Sequence, residues 1–452
     1  MVVKTYFYGV VAKMNRFNWK KISFCILLLV FLPGNTAFAR EFTLEDAYRQ
    51  ALKTSDGIKI SELEIEKSRR DVTVASSGLL PQINLSGQSI RQKEMLNEKG
   101  EIVADKTNTV GRAEMRLHLY QGGKPWFERS SSVLGLQAVE ADVFRTRQQV
   151  LFAVARAYYQ VLLSQRNEEI ANTVLQRAKN QLEQAEGLFE AGEVTRTAVL
   201  RARVQISQAT EQLERSSNEL KLARDNLVYE LGISELPGEL NEPAAVSFAD
   251  TPVENYIEEA YRTRSDLKGL KAREKATAES VKAERASWFP QLNLVSSYET
   301  FEEKKYEEND DWQVMVEGSY PLFSGWRETA QMEKAEKEHQ QDRTRRRDKE
   351  KSIRIEVREA YLNLQTRREI MNSLRQQVQS AQQNYEEISA QFEEALATSL
   401  DVSDAHQVLK EAELSLARSY YSYQLEILAL KLATGSFQRE LLEKETKNGT
   451  RS

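Results

Sequence analysis

The chain has 452 residues, 40% of them apolar and 29% charged, and a net charge of −5. This balance excludes a low-complexity polymer and a bundle of transmembrane helices, and its interspersed charges offer none of the basic field that nucleic acid demands, so no nucleic-acid partner is expected. Eight prolines and nineteen glycines are few for the length, as in chains built from long helices.

From Met14 the chain reads MNRFNWKK, then ISFCILLLVFL, then PGNTAFA before Arg40. A basic stretch, a short apolar run and the small residues Ala37 and Ala39 are what a signal peptidase accepts, so residues 1–39 are expected to be cleaved. The apolar run has eleven residues, whereas a membrane anchor needs roughly twenty. The one cysteine, Cys25, falls inside this segment. The rest of the chain therefore has no disulfide and no zinc-thiolate chemistry.

An amphipathic helix is expected around Ala51 in AYRQALKTSDG, followed by GLLPQINLSG from Gly78 to Gly87. Both return 209 residues later, as IEEAYRTRSDL around Ala260 and SWFPQLNLVS from Ser287 to Ser296. Farther on the offset is 203, so that LYQGGK (Leu119 to Lys124) returns as LFSGWR (Leu322 to Arg327) and Tyr158 falls on Tyr361. The chain thus reads as a tandem repeat, 40–240 and 252–437, with a linker at 241–251 and a polar tail at 438–452.

Pro81 and Pro290 mark helix-to-strand junctions, because the residue before proline is pushed out of the helical region. After each, apolar and polar residues alternate: Ile83 and Leu85 against Gln82 and Asn84, Leu292 and Leu294 against Gln291 and Asn293. Met115, Leu117 and Leu119 alternate with Arg116 and His118, and Trp312, Val314 and Val316 with Gln313, Met315 and Glu317. These predict two-faced β-hairpins over about 81–120 and 290–323. Aromatic residues gather near the strand ends (Trp288, Phe289, Tyr298, Phe301, Trp312, Tyr320, Phe323), and the connecting loops are charged. Strands of about ten residues with aromatic ends are those that cross a bilayer. Four strands cannot close a barrel, so several chains must share one. Two chains would supply eight strands and three would supply twelve; the strand count does not choose.

Each strand pair leads into a coiled helical hairpin, about 124–231 and 326–434. Leu175, Ala178, Leu182, Ala185 and Phe189 recur at spacings of 3, 4, 3 and 4, as do Val378, Ala381, Tyr385, Ile388 and Phe392. Returning arms carry Ile206, Ala209, Leu213, Ser216 and Leu220, and Leu409, Ala412, Leu416, Ser419 and Tyr423. Alternating 3 and 4 is a coiled-coil seam. A descending arm of about 65 residues at ~1.5 Å each is close to 100 Å long, too long for a compact domain.

The LxxAyxxAL opening (Leu44, Ala47, Tyr48, Ala51, Leu52), LLPQxxLS, LYQGGK and the tandem repeat together resemble the TolC family of outer-membrane efflux proteins. The resemblance implies an α+β membrane fold: a homotrimer whose four strands per chain make a twelve-stranded outer-membrane barrel and whose coiled hairpins make a periplasmic tunnel. It implies an exit duct for a tripartite efflux pump or type I secretion system, partnered by a periplasmic adaptor (membrane fusion protein), an inner-membrane transporter and outer-membrane lipid. LFEAGEVTRTAVLRA resembles the family's G-x-x-T-x-T-x-V-L turn, with Gly192, Thr195, Thr197, Val199 and Leu200 on the matching positions. The second tip keeps Thr398 but has Ala395 where the family usually has glycine. Both tips are implied adaptor-docking surfaces, although a left-handed glycine and a helix-capping threonine also suit a plain turn.

Asp401 and Asp404 follow the second tip on one helical face, while the equivalent positions of the first hold Ala198 and Arg201. A solvated acidic patch is the ordinary reading. The resemblance implies instead a pore gate, in which six carboxylates from three chains favour cations. The run Arg343, Arg345, Arg346, Arg347 is flanked by acids and reads as a solvated helix face. His118, His339 and His406 are scattered, and neither a phosphate loop nor a nucleophile with an orienting base is found, so no enzyme, metal or cofactor is expected. The competing reading is a soluble periplasmic coiled-coil scaffold or adaptor subunit; an adaptor should interrupt a single hairpin with β-rich halves and should not repeat.

Overall fold

In the computed structural model the described residues are 42–91, 95–96, 102–104, 107–244, 248, 251–302, 310–439 and 441–442. The expected signal peptide lies outside them, as do most of the polar tail and the Phe301 side chain. The first repeat runs α1 (Leu44–Thr54), α2 (Asp56–Ser77), β1 (Gln82–Arg91), β2 (Met95–Leu96), β3 (Ile102–Ala104), β4 (Thr107–Tyr120), α3 (Lys124–Glu190) and α4 (Arg196–Leu231). The second runs α5 (Val253–Thr263), α6 (Ser265–Ala286), β5 (Gln291–Glu302), β6 (Asp310–Ser319), α7 (Arg327–Glu393) and α8 (Ser399–Thr434). Helix lengths repeat as 11, 22, 67 and 36 residues in both halves. A 67-residue helix is about 100 Å long. None of the helices among the described residues is long and apolar enough to cross a membrane.

Local chemistry explains where these elements begin and end. Thr43 and Asp46 form a capping box at the start of α1, with Asp46 N–H donating to the Thr43 hydroxyl at 3.2 Å. Pro81 and Pro290 stand immediately before β1 and β5. One bond recurs in both repeats: Thr54 donates to the Leu231 carbonyl and Thr263 to that of Thr434, tying the short first helix of each repeat to the end of its hairpin. In the second repeat Arg264, almost fully buried, adds ion pairs to Asp266 and Glu356.

The four long strands form one antiparallel sheet in the order β1-β4-β5-β6. Cross-strand rows alternate in chemistry. Leu85, Ala113, Tyr298 and Trp312 make one row; the next rows on either side are Asn84, Glu114, Ser297, Gln313 and Ser86, Arg112, Glu299, Asp311. Within the stretch read as a charged loop, β2 and β3 add a small second sheet.

The coiled seams bury Ala178, Ala185, Ala209, Ala381, Leu409 and Ala412. Phe189 departs from the expected seam. It is exposed, whereas its repeat partner Phe392 is fully buried, and Leu188 packs at the first tip instead. The same spacing thus buries the last seam position in one repeat and exposes it in the other, since the space between the tips is filled by Phe392 together with Leu188. The arginine run is tied down in part: Arg346 pairs with Glu274 and Glu350, and Arg345 with Asp342.

Candidate functional site

At the tips the two hairpins lie side by side. Ala185, Val199 and Ala202 of the first share a buried cluster with Phe392 and Val402 of the second. The docking candidate Val199 therefore spends its side chain on packing, while Gly192, Thr195, Thr197, Leu200, Ala395 and Thr398 are exposed. Gly192 has a φ of 80° and nothing within 4 Å of a hypothetical Cβ. Ala395, with a φ of 58°, takes the same left-handed turn without glycine.

The two returning helices are capped differently. Thr398 and Asp401 form a capping box, with the Asp401 carboxylate accepting from the Thr398 hydroxyl at 2.6 Å and from its N–H at 2.8 Å. These bonds hold the Asp401 carboxyl below the usual carboxylate range. Thr195 has the extended backbone of an N-cap, but its hydroxyl makes no capping bond. The N–H it would receive, that of Ala198, goes to the Thr195 carbonyl at 2.9 Å. Asp401 thus joins a structural duty to the gate expected of it. Asp404 lies one turn on, and both carboxylates are exposed.

Two residues farther, His406 is buried against the Tyr385 ring, 5.5 Å between centroids, and its Nε2 finds no partner among the described residues. Burial, then the charges of Arg177 and Lys410, hold its pKa down at about 4. Arg177 of α3 forms a two-pronged bond with Glu413 of α8 at 3.1 and 3.2 Å, joining the hairpins at this level.

At the opposite end the sheet is inverted relative to a soluble protein. Leu85, Trp312, Val314 and Val316 are exposed, and the reverse face carries Arg112 paired with Glu299, Arg116 paired with Glu317 at 3.1 Å, and His118 bonded to Asn293 at 2.7 Å. An apolar skin over a charged inner face is the wall of a water-filled barrel in lipid. Trp312 and Tyr320 are eight residues apart in the chain, which at ~3.3 Å per residue and a tilt of ~40° separates them by about 20 Å along the membrane normal.

A family model for outer membrane efflux proteins matches residues 47–232 and 256–436, both repeats. The outer membrane protein TolC of Vibrio cholerae is 24% identical over 415 residues, covering 88% of this chain and 91% of that protein. The transmembrane channel CusC superposes with a TM-score of 0.78 at 19% identity, covering 88% of this chain and 93% of its own. The outer membrane channel CmeC of Campylobacter jejuni does so with a TM-score of 0.78 at 18% identity, covering 90% and 88%. The scaffold-or-adaptor alternative falls with these matches, because the family model covers both repeats and the relatives are outer-membrane channels over most of their length. The chain belongs to the outer membrane efflux protein family, as an outer-membrane exit duct and not an enzyme.

Proposed function

We propose that three copies of this chain assemble one duct, with a shared twelve-stranded barrel in outer-membrane lipid and a helical tunnel below it, and that it serves a tripartite efflux pump or a type I secretion system. The observation that carries the reading is the sheet: its edge strands β1 and β6 are exposed along their whole length, and lipid does not tolerate unpaired strand edges. Neighbouring copies pair β1 with β6 and close the wall.

The exposed turn residues Gly192, Thr195, Thr197, Leu200, Ala395 and Thr398 form the surface on which a periplasmic adaptor docks, itself driven by an inner-membrane transporter. Asp401 and Asp404 of three chains ring the periplasmic mouth and favour cations there. Replacing Gly192 and Thr195 with tryptophan tests the docking: adaptor cross-linking and export should be lost while assembly and membrane insertion persist. Export that survives both substitutions would make the tip a turn and nothing more.

A further inference from the structure

The internal repeat supplies a template for contacts between copies. Inside one chain α8 of the second repeat packs on α3 of the first. Tyr421 and Leu428 of α8 are buried in a cluster with Leu151, Ala155 and Tyr159, and Leu425 and Leu432 close over it. Among the described residues the corresponding helix of the first repeat, α4, shows no comparable packing on α7. Leu222 and Tyr229, 203 residues before Leu425 and Leu432, are 68% and 80% exposed. On α7 the situation is reversed: Ile355 and Leu362, 203 residues after Phe152 and Tyr159, are 65% and 53% exposed. The face that α3 buries is bare on α7, and the face that α8 buries is bare on α4. Two unmatched halves of one seam make a head-to-tail contact, which closes into a ring when the rotation permits.

We infer that α4 of one protomer packs on α7 of the next in the register of α8 on α3, and that charge replaces apolar packing along that seam. The inference rests on the shared-barrel assembly proposed above and adds the register and the chemistry. Phe144, Leu151 and Ala155 of α3 become Arg347, Arg354 and Arg358 on α7, and Gln148 becomes Lys351. Arg347, Lys351, Arg354 and Arg358 recur at spacings of 4, 3 and 4 and are exposed. Three carboxylates of this stretch are engaged elsewhere, Asp342 with Arg345, Glu350 with Arg346, and Glu356 with Arg264 and Lys349, while Asp348 and Glu359 are exposed and leave the stretch with a surplus of cations. Opposite them, Leu428 of α8 becomes the exposed Asp225 of α4, placed to meet Arg358.

Lys351 has a target of its own. Gln148 Nε2 donates to the carbonyls of Gly435 at 3.1 Å and Phe437 at 2.8 Å, just beyond the end of α8. The equivalents beyond α4 are Gly232 and Ser234, both exposed. The Lys351 ammonium donates to those carbonyls of the next protomer, at a helix C-terminus where a cation is favoured. The neighbouring bond from Arg145 to the Leu432 carbonyl is not repeated, because Asp348 stands in place of the arginine.

Residues 40–452 contain no cysteine, so paired cysteines test the register directly. In the template, Tyr159 and Tyr421 rings lie 6.3 Å apart and Phe152 and Phe437 rings 6.0 Å apart. Leu362→Cys with Asn218→Cys, and Ile355→Cys with Ser234→Cys, should therefore join protomers through a short bis-thiosulfonate linker. A covalent ladder ending at the trimer is expected for each pair and for none of the single variants. Asp225→Arg should shorten the lifetime of the oligomer in mild detergent about fivefold, and Asp225→Arg combined with Arg358→Asp should restore it. Light scattering that shows an intact trimer without a ladder overturns the seam alone; monomers in the membrane extract overturn the assembly and the seam with it.

Discussion

Gly192 and Ala395 hold the same left-handed turn at the two hairpin tips, with φ of 80° and 58°. The bonds around them match: Glu193 N–H donates to the Leu188 carbonyl at 2.9 Å and Leu396 N–H to that of Gln391 at 2.8 Å. Alanine adopts this conformation against a steric cost of about 1 kcal/mol. Gly192→Ala, with open space around the new methyl, should destabilise the first tip by about 1 kcal/mol, and Ala395→Gly should leave the second unchanged or stabilise it by up to about that amount. Local opening free energies from amide hydrogen exchange at Glu193 and Leu396 measure both.

The two aspartates should separate by experiment. Asp404→Ala should weaken cation selectivity, read as reversal potential in a salt gradient across planar bilayers, and leave α8 protected. Asp401→Ala should weaken selectivity and also fray the first turn of α8, because the capping box is lost. Asp401 titrates below its ordinary value, so its capping contribution is present above the unfolded carboxyl pKa and disappears as pH falls through the folded one. Equal selectivity in the wild type and the double variant would leave these residues as a solvated patch.

His406 predicts a pH dependence of opposite origin. Its pKa is lowered from 6.5 to about 4, so between those values the unfolded chain binds the proton and the folded chain does not. Stability is full above pH 6.5, falls as pH drops toward 4 and levels off below, by at most ~3 kcal/mol. The groups around the ring are Tyr385 of α7, Arg177 of α3 with its partner Glu413, and Lys410 of α8. Thermal unfolding of His406→Phe should lack this acid-side loss.

The barrel wall is tested by face. Val316→Arg places a charge on the exposed apolar face and should cost about 2–4 kcal/mol near the bilayer midplane. Gln313→Arg lies on the reverse face and should cost little, altering conductance instead. Urea-dependent folding into vesicles compares the two.

Most of the architecture was legible because it is written twice. The offsets of 209 and 203, the prolines at 81 and 290 and the change of period from 2 to a 3-4 alternation each reflect a local backbone rule, and the helix lengths of the structure repeat accordingly. What was not legible depends on context. Phe189 obeys the heptad but lies outside the core between the tips, which Phe392 and Leu188 fill, Val199 matches a docking motif but packs in that core, and Thr195 looks like Thr398 yet has no capping box because Ala198 stands where Asp401 would. The bare faces of α4 and α7 became visible only when burial in one repeat could be set against exposure in the other.

The mass of the protein extracted from outer membranes, by light scattering corrected for bound detergent, bears most directly on a duct built from shared strands. Three chains per particle are expected. A stable, membrane-inserted single chain would contradict it, since four strands with bare edges would then be standing in lipid alone.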